Sequence, residues 1–148
     1  MAWRRLKTRA QFQALLRVPP VARSPHFAWH HLAWPAAQEL LPGAEAAGHP
    51  WLALFSPASG VWLSAMAPKR WARRSVTRNT VRRQIHALEA AHASALPPGV
   101  HLVRLRAAFA TAEFPSATSV ALKRAVRGEL TQLLAWAARA IQSQSASP

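Results

Sequence analysis

One segment constrains this chain most: residues 69–83 hold seven cations and no acid, and they follow directly after an apolar run. Lys69 to Arg74 predict a loop, and Ser75 is a candidate N-cap for a helix that runs to about His92. At 3.6 residues per turn, one face of this helix is apolar and carries Val81, Ile85 and Leu88. The opposite face carries Asn79, Arg82, Arg83 and His86, with Arg78 at the border. The helix can therefore pack on a sheet while it presents a cationic surface.

The charge of the chain is strongly one-sided. There are 19 Lys and Arg residues against 5 Asp and Glu, which gives a formal net charge of +14 at pH 7. A solvated helix face usually mixes charge signs, because opposite charges four residues apart stabilise a helix by about 0.2–0.5 kcal/mol. Arg78 and Arg82 have this spacing and the same sign, so we expect an external polyanion, in particular a nucleic acid. The lack of Cys excludes disulfide scaffolds, Cys-bearing zinc sites and thiol nucleophiles.

The apolar pattern elsewhere predicts an α+β domain with the element order α-β-β-β-α-β-α. A short amphipathic helix spans Thr8 to Arg17, with Thr8 as its N-cap. Apolar runs predict four strands, at residues 26–34, 51–55, 61–67 and 100–106. The last helix carries an apolar stripe of Leu122, Val126, Leu130, Leu133, Leu134, Ala137 and Ile141. We expect residues 1–141 to form a single RNA-binding domain with a loop insertion at 35–50, and residues 142–148 to be a disordered tail.

Side chains that could carry catalysis are sparse. Five carboxylates are scattered at positions 39, 45, 89, 113 and 129, which does not predict a two-metal nuclease site. His26, His30 and His31 have the spacing of a metal cluster, but His30 and His31 point to opposite faces of a strand, and no thiol or carboxylate completes the set. No apolar stretch reaches the roughly 18–20 residues that a membrane helix needs. We therefore expect no catalytic residue, no metal held by the protein and no membrane partner.

The sequence Arg78-Asn79-Thr80-Val81-Arg82-Arg83, preceded by Pro68-Lys69-Arg70 at the end of an apolar strand, resembles the signature of the bacterial ribonuclease P protein subunit. The resemblance covers about residues 4–138 without the 35–50 insertion, and it includes Arg5-Leu6-Lys7, Phe12, Arg23, Phe27 and the strand that begins at Val100. Thr80 departs from the family pattern, which usually has Arg or Lys there, and His86 replaces a later Arg. Arg73 and Arg74 stand where a Gly and a small polar residue are common.

This resemblance implies an α/β sandwich of the ribosomal protein S5 domain 2-like fold, with a mixed four-stranded sheet and a left-handed βαβ crossover, opposite to the general rule. It implies that the cationic loop and helix bind the catalytic RNA through Lys69, Arg70, Arg73, Arg74, Arg78, Asn79, Arg82, Arg83 and His86. It also implies a cleft between the first helix and the sheet that receives the single-stranded 5′ leader of precursor tRNA. Phe12, Phe27 and Trp29 match that cleft, because aromatic rings stack on unpaired bases. The helical spacing of Phe12 with Leu15 and Leu16 equally allows a core position.

By the same resemblance, the protein is a non-catalytic subunit of an endoribonuclease that matures the 5′ end of tRNA. The ribonuclease P RNA and its bound Mg²⁺ ions perform the cleavage, and we expect a cytoplasmic, monomeric protein in a 1:1 ribonucleoprotein. Composition leaves open a ribosomal or other structured-RNA-binding protein without a processing role. A DNA-binding module is disfavoured because the basic helix follows a strand rather than a helix-turn. A protein-only nuclease is disfavoured because acidic residues are few.

Overall fold

A computed structural model describes residues 3–35, 49–92, 94–109 and 120–146 of the chain. The elements, in chain order, are α1 (Arg9–Leu16), β1 (Ala22–Arg23), β2 (Phe27–Leu32), a 3-10 helix (Pro50–Leu54), β3 (Val61–Met66), α2 (Ser75–His86), α3 (Leu88–Ala91), β4 (Gly99–Leu105) and α4 (Val120–Ala146). Most of the predicted insertion, residues 36–48, lies outside the described residues. Within the described ranges, no helix is both long enough and apolar enough to cross a membrane.

The four strands form one mixed sheet in the order β1-β2-β4-β3. Strand β2 pairs antiparallel with both β1 and β4, whereas β3 pairs parallel with β4. Because β3 and β4 are parallel neighbours, the chain between them must cross over the sheet, and α2 and α3 form this crossover. The α+β class and the mixed four-stranded sheet predicted from the sequence are therefore confirmed, and the left hand of the crossover stays a prediction.

The two faces of the sheet bury two separate cores. On one face, α2 and α4 cover alternate residues of the central strands, including the fully buried Phe27, Trp29 and Val103. The apolar stripe predicted for the last helix, from Leu122 to Ile141, is buried throughout. On the other face, α1 and the 3-10 helix cover a second cluster of Leu15, Phe55, Trp62, Val100 and Leu102. The sheet is therefore the middle layer of three.

The helix α1 begins as its sequence predicts. The hydroxyl oxygen of Thr8 accepts from the backbone N–H of Gln11 at 3.2 Å, and the Gln11 side chain accepts from the N–H of Thr8 at 3.1 Å. This reciprocal pair satisfies two amide groups that would otherwise lack partners at the start of the helix. For α2 both predicted ends need correction. Ser75 is already helical and the N-cap is Arg74, with no side-chain cap among the described residues, and the helix ends at His86 rather than near His92, with α3 following as a separate short helix.

Three further sequence predictions need correction. Residues 51–55 are not a strand but largely a 3-10 helix, because Pro50 fixes its own φ and offers no N–H for a sheet ladder. The fourth strand is instead Ala22–Arg23, and two residues are too few for any hydrophobic period to reveal. The final helix continues to Ala146, so residues 142–146 are not a disordered tail: no Pro or Gly stops the helix there.

Candidate nucleic-acid interface

The basic surface, which we define as Lys69, Arg70, Arg73, Arg74, Arg82 and Arg83, lies on the loop between β3 and α2 and on the outer side of α2. Helix α2 is held from below by Val81 and Ile85, both fully buried against the sheet and α4. Asn79 and Arg83 are exposed on the opposite side, and Arg82 is half-buried. The amphipathic pattern predicted for this helix is therefore confirmed, and its polar side faces outward.

This surface keeps its positive charge within the described residues. Among the described residues, Arg5 forms an ion pair with Glu89 at 3.1 Å, and Nδ1 of His26 lies 2.7 Å from a carboxylate oxygen of Glu129. Both carboxylates are thus engaged by residues outside the basic surface. Six cations gathered on one loop and one side of a helix create a positive potential, which favours the approach of a polyanion.

The structure gives Arg78 a different position from the rest of the motif. Its Nη1 donates to the backbone carbonyl of Ala72 at 3.0 Å and to that of Arg73 at 2.8 Å. The side chain is half-buried, and its charge is directed at the loop rather than at solvent. Arg78 therefore ties the loop to the first turn of α2, which makes it a positioning residue for the basic surface.

His86 and Thr80, two of the departures from the family signature, both point away from the outer face. His86 is half-buried, and its Nε2 is buried with no hydrogen-bond partner among the described residues. Burial lowers the pKa of His86, with a further lowering from the nearby Arg5 cation. It is therefore neutral at pH 7 and adds no charge to the surface. Thr80 is buried, and its hydroxyl donates to the carbonyl of Val76 at 2.9 Å. The RNA-binding role expected for His86 therefore cannot rest on a charged imidazole, and it stays a prediction.

A cleft lies between α1 and the sheet, but none of the three predicted residues is among the described residues that line it. Phe27 and Trp29 are fully buried under α2 and α4, on the opposite face of the sheet. The indole N–H of Trp29 donates to Nδ1 of His101 at 2.9 Å, deep in that core. Assigning Phe27 and Trp29 to the leader cleft is therefore wrong. Phe12 is partly buried against the core beneath α1, and Leu16, one helical turn later, is exposed on the same side.

The cleft, a cavity of about 480 Å³, is lined by Leu16, His30, Met66, Pro68, Arg70 and Arg104. Nε of Arg104 donates to Nε2 of His30 at 2.9 Å, so the other ring nitrogen of His30 carries the proton and donates to the carbonyl of Val18 at 3.0 Å. Burial lowers the pKa of His30, which keeps the ring neutral. The cleft thus combines one fixed cation with a flat neutral ring and flexible apolar groups.

Sequence reasoning missed His30, Met66 and Arg104 as cleft residues. The signal for them is the alternation of strand residues: Ala28, His30 and Leu32 share a face, as do Leu102 and Arg104 on the neighbouring strand. This alternation groups the residues correctly, but it does not say which face α1 covers, and the assignment of the aromatic residues to that face was the error.

Comparison with known proteins agrees with this architecture. The family model for ribonuclease P matches residues 2–129. A solved structure of the Staphylococcus aureus RNase P protein is similar, with 16% identity, 90% of this chain and 94% of that chain covered, and a TM-score of 0.58. A structure of an S. aureus RNase P protein mutant with defective mRNA degradation activity matches at 15% identity, with 88% and 84% covered and a TM-score of 0.57. No curated protein matches the chain.

At these identities the solved structures support the fold, while the family model spans most of the chain and supports descent. The arginine-rich loop and helix, the mixed sheet and the cleft under α1 stand together on one frame. The chain belongs to the bacterial ribonuclease P protein family.

Proposed function

We propose that this protein binds the ribonuclease P RNA through its basic surface and the 5′ leader of precursor tRNA through the cleft under α1. As a member of its family, it is a non-catalytic subunit of the endoribonuclease that matures the 5′ end of tRNA. One observation carries the two-site arrangement: Arg70 belongs to the basic surface and also lines the cleft. A leader strand that passes from the RNA-bound side of the protein into the cleft therefore stays close to a positive charge.

The chemistry of the cleft suits a single strand without a demand for sequence. Arg104 offers a guanidinium to a phosphate, and it is held in place by its hydrogen bond to His30. The imidazole of His30 and the aliphatic surface of Leu16 and Met66 offer flat or flexible apolar contacts to bases. Contacts to backbone and base faces, rather than to base edges, are what an enzyme needs when leaders vary in sequence.

The catalytic Mg²⁺ ions are assigned to the RNA subunit in this proposal. The two carboxylates within the described residues do not fit a magnesium site, because Glu89 accepts from Arg5 and from the N–H of Trp3, while Glu129 accepts from the N–H of His26. No group of three or more His, Asp or Glu side chains is close enough to hold a metal within those ranges. The protein's contribution is then to reduce phosphate repulsion and to fix the leader, which helps the RNA to fill its own metal sites at low Mg²⁺.

We further propose a 1:1 complex in the cytoplasm. The basic surface is a single patch on one side of α2, so one protein monomer presents one docking face to one RNA. The size of an assembled complex in analytical ultracentrifugation tests this stoichiometry, and a second protein per RNA would contradict it.

The decisive experiment is cleavage of a 5′-labelled precursor tRNA by ribonuclease P RNA from the same source, at a Mg²⁺ concentration where the RNA alone is nearly inactive. We expect the protein to restore cleavage, and protein without RNA to yield no product. Mature tRNA should compete less well than precursor tRNA, because it lacks the leader. Absence of rescue, or equal competition by the two tRNAs, would favour a structured-RNA-binding protein without a processing role.

A further inference from the structure

A second cavity, of about 530 Å³, lies behind the basic loop on the face of the sheet opposite to the leader cleft. It opens between the start of α2, the end of β4 and the start of α4, and its volume is within the range of small-molecule sites, about 300–1,000 Å³. Its lining shares only Arg70 with the cleft, as far as the described residues show. The cavity is therefore separate from the leader site.

The interior of this cavity is apolar and partly aromatic. Val81 and Leu105 belong to the buried core and form part of its lining, together with the rings of Trp71 and Phe109. The ring of Phe109 is fixed by stacking on His26, with the ring centroids 3.9 Å apart. Two aromatic rings beside an aliphatic surface favour a flat ligand over a flexible chain or a free phosphate.

Trp71 leaves a hydrogen-bond donor without use. Its indole Nε1 is buried and has no acceptor among the described residues. Buried donors are nearly always paired, because an unmet one is costly. The guanidinium of Arg70 lies 5.4 Å from the centre of the Trp71 ring, which fixes a cation beside it. An occupant with a hydrogen-bond acceptor would complete this arrangement.

The rim of the cavity is cationic. Arg70, Arg73 and Arg74 all line it, and no described carboxylate does. The loop that carries them is held by Arg78, whose two hydrogen bonds fix the carbonyls of residues 72 and 73. An apolar, acceptor-seeking interior under an arginine rim matches a nucleobase whose own backbone phosphates lie outside.

We propose that this cavity receives one unstacked base of the ribonuclease P RNA. The base packs against the aromatic rings and accepts the Trp71 N–H, while the adjoining phosphates bind the arginines of the rim. This inference rests on the proposed function and deepens it, because it turns the basic surface from a purely electrostatic contact into a site that requires an extruded nucleotide.

The test compares variants that fill or alter the cavity with matched controls elsewhere. Ala108→Trp fills the cavity at an exposed lining position, and Ala135→Trp places the same side chain on the exposed side of α4. Trp71→Phe keeps an aromatic ring but removes the donor, and Trp136→Phe is its control at a residue that is 41% exposed. Thermal unfolding and circular dichroism establish that each variant is folded.

Binding to ribonuclease P RNA is then measured across a salt series, and wild-type complexes are crosslinked by ultraviolet light and mapped by mass spectrometry. We expect Ala108→Trp to weaken binding roughly 5- to 150-fold, the range for loss of one stacked base, with the salt slope unchanged. Trp71→Phe should weaken binding in the same direction, and Trp71 or Phe109 should crosslink to a single nucleotide. Both controls should bind as wild type.

Four outcomes would overturn the proposal. If the wild type rescues cleavage but Ala108→Trp binds as tightly as Ala135→Trp, the base site is wrong and the proposed function stands. If the variants weaken binding but no base crosslinks to the cavity, its occupant is not a base. If polyglutamate binding is weakened by Ala108→Trp while RNA binding is not, the cavity serves an acidic peptide. Failure of the wild type to rescue cleavage at all would overturn the proposed function and this inference together.

Discussion

The arginines of the 69–83 segment divide into those that contact a partner and one that builds the surface, and salt dependence can separate them. Each phosphate neutralised on a duplex contributes about 0.9 to the slope of log K against log salt. Replacing Arg82 and Arg83, which lie on the outer side of α2, by Gln should therefore reduce the slope by about 1.8. Arg78→Gln should leave the slope nearly unchanged, because its guanidinium already serves two loop carbonyls.

The same reasoning gives the size of the effect. Between 50 and 200 mM salt, a slope difference of about 1.8 corresponds to roughly a tenfold smaller loss of affinity for the double variant than for the wild type. Arg78→Gln should instead weaken binding by the same factor at every salt concentration, because it loosens the loop that carries Arg73. The Arg124→Gln/Arg139→Gln double variant, on exposed positions of α4, serves as the charge-matched control.

Filter binding of the labelled RNA over five salt concentrations provides the slopes, and all variants are compared at the same Mg²⁺ concentration. A slope for Arg78→Gln that falls as much as half of the double-variant change would refute the positioning role of Arg78. An unchanged slope for the double variant would refute the placement of the RNA on the outer side of α2, and a lowered slope for the α4 control would show that the contact is not confined to the basic surface.

Further outcomes follow from the cleft and the cores. Arg104→Gln should reduce the preference of the assembled enzyme for precursor over mature tRNA several-fold while RNA assembly is unchanged, as measured by competition cleavage; an unaltered preference would exclude Arg104 from the leader site. Burial lowers the pKa of His101 to about 3, so the unfolded chain binds a proton that the folded chain does not, and stability falls as pH drops below about 6.5. From pH 7 to pH 5 this removes about 2 kcal/mol, and urea unfolding of His101→Gln should show a weaker pH dependence than the wild type; equal pH dependence would contradict the assignment. Leu133→Ala, in the core under α4, should lower the free energy of unfolding by about 2–5 kcal/mol, and a loss below 1 kcal/mol would contradict its close packing.

The two long helices were predictable from sequence because each carries a one-sided apolar stripe. The stripe of α4 continues over more than five turns to Ile141, and every member is buried. That of α2 is shorter, but its opposite face is so basic that only one orientation is possible. Short elements gave no such signal: the two residues of β1 have no period, and the apolar run at 51–55 suits a strand and a helical turn equally.

The cleft proposed for the leader shows why alternation alone could not place its residues. Strand β2 carries bulky side chains on both faces, with Phe27 and Trp29 on one and His30 and Leu32 on the other. A strand of this kind is covered on both sides, so its own pattern does not distinguish the side under α1 from the side under α2 and α4. That choice depends on helices distant in sequence. Base stacking favours aromatic residues for the cleft, but the packing of the sheet buries Phe27 and Trp29 in the core under α2 and α4.

The separate position of Arg78 follows from a property of helices that the motif alone does not express. Side chains on an α-helix tilt toward its N-terminus, so a long side chain covers the turn that precedes it. Arg78 is in the first turn of α2, where the preceding turn is the loop, and its guanidinium meets free carbonyls there. Arg82 is one turn later, and its Nη1 donates to Oδ1 of Asn79 at 3.3 Å on the helix surface. These two arginines lie four residues apart in the same motif. They differ in role because Arg78 is preceded by the loop, whereas Arg82 is preceded by a turn of helix.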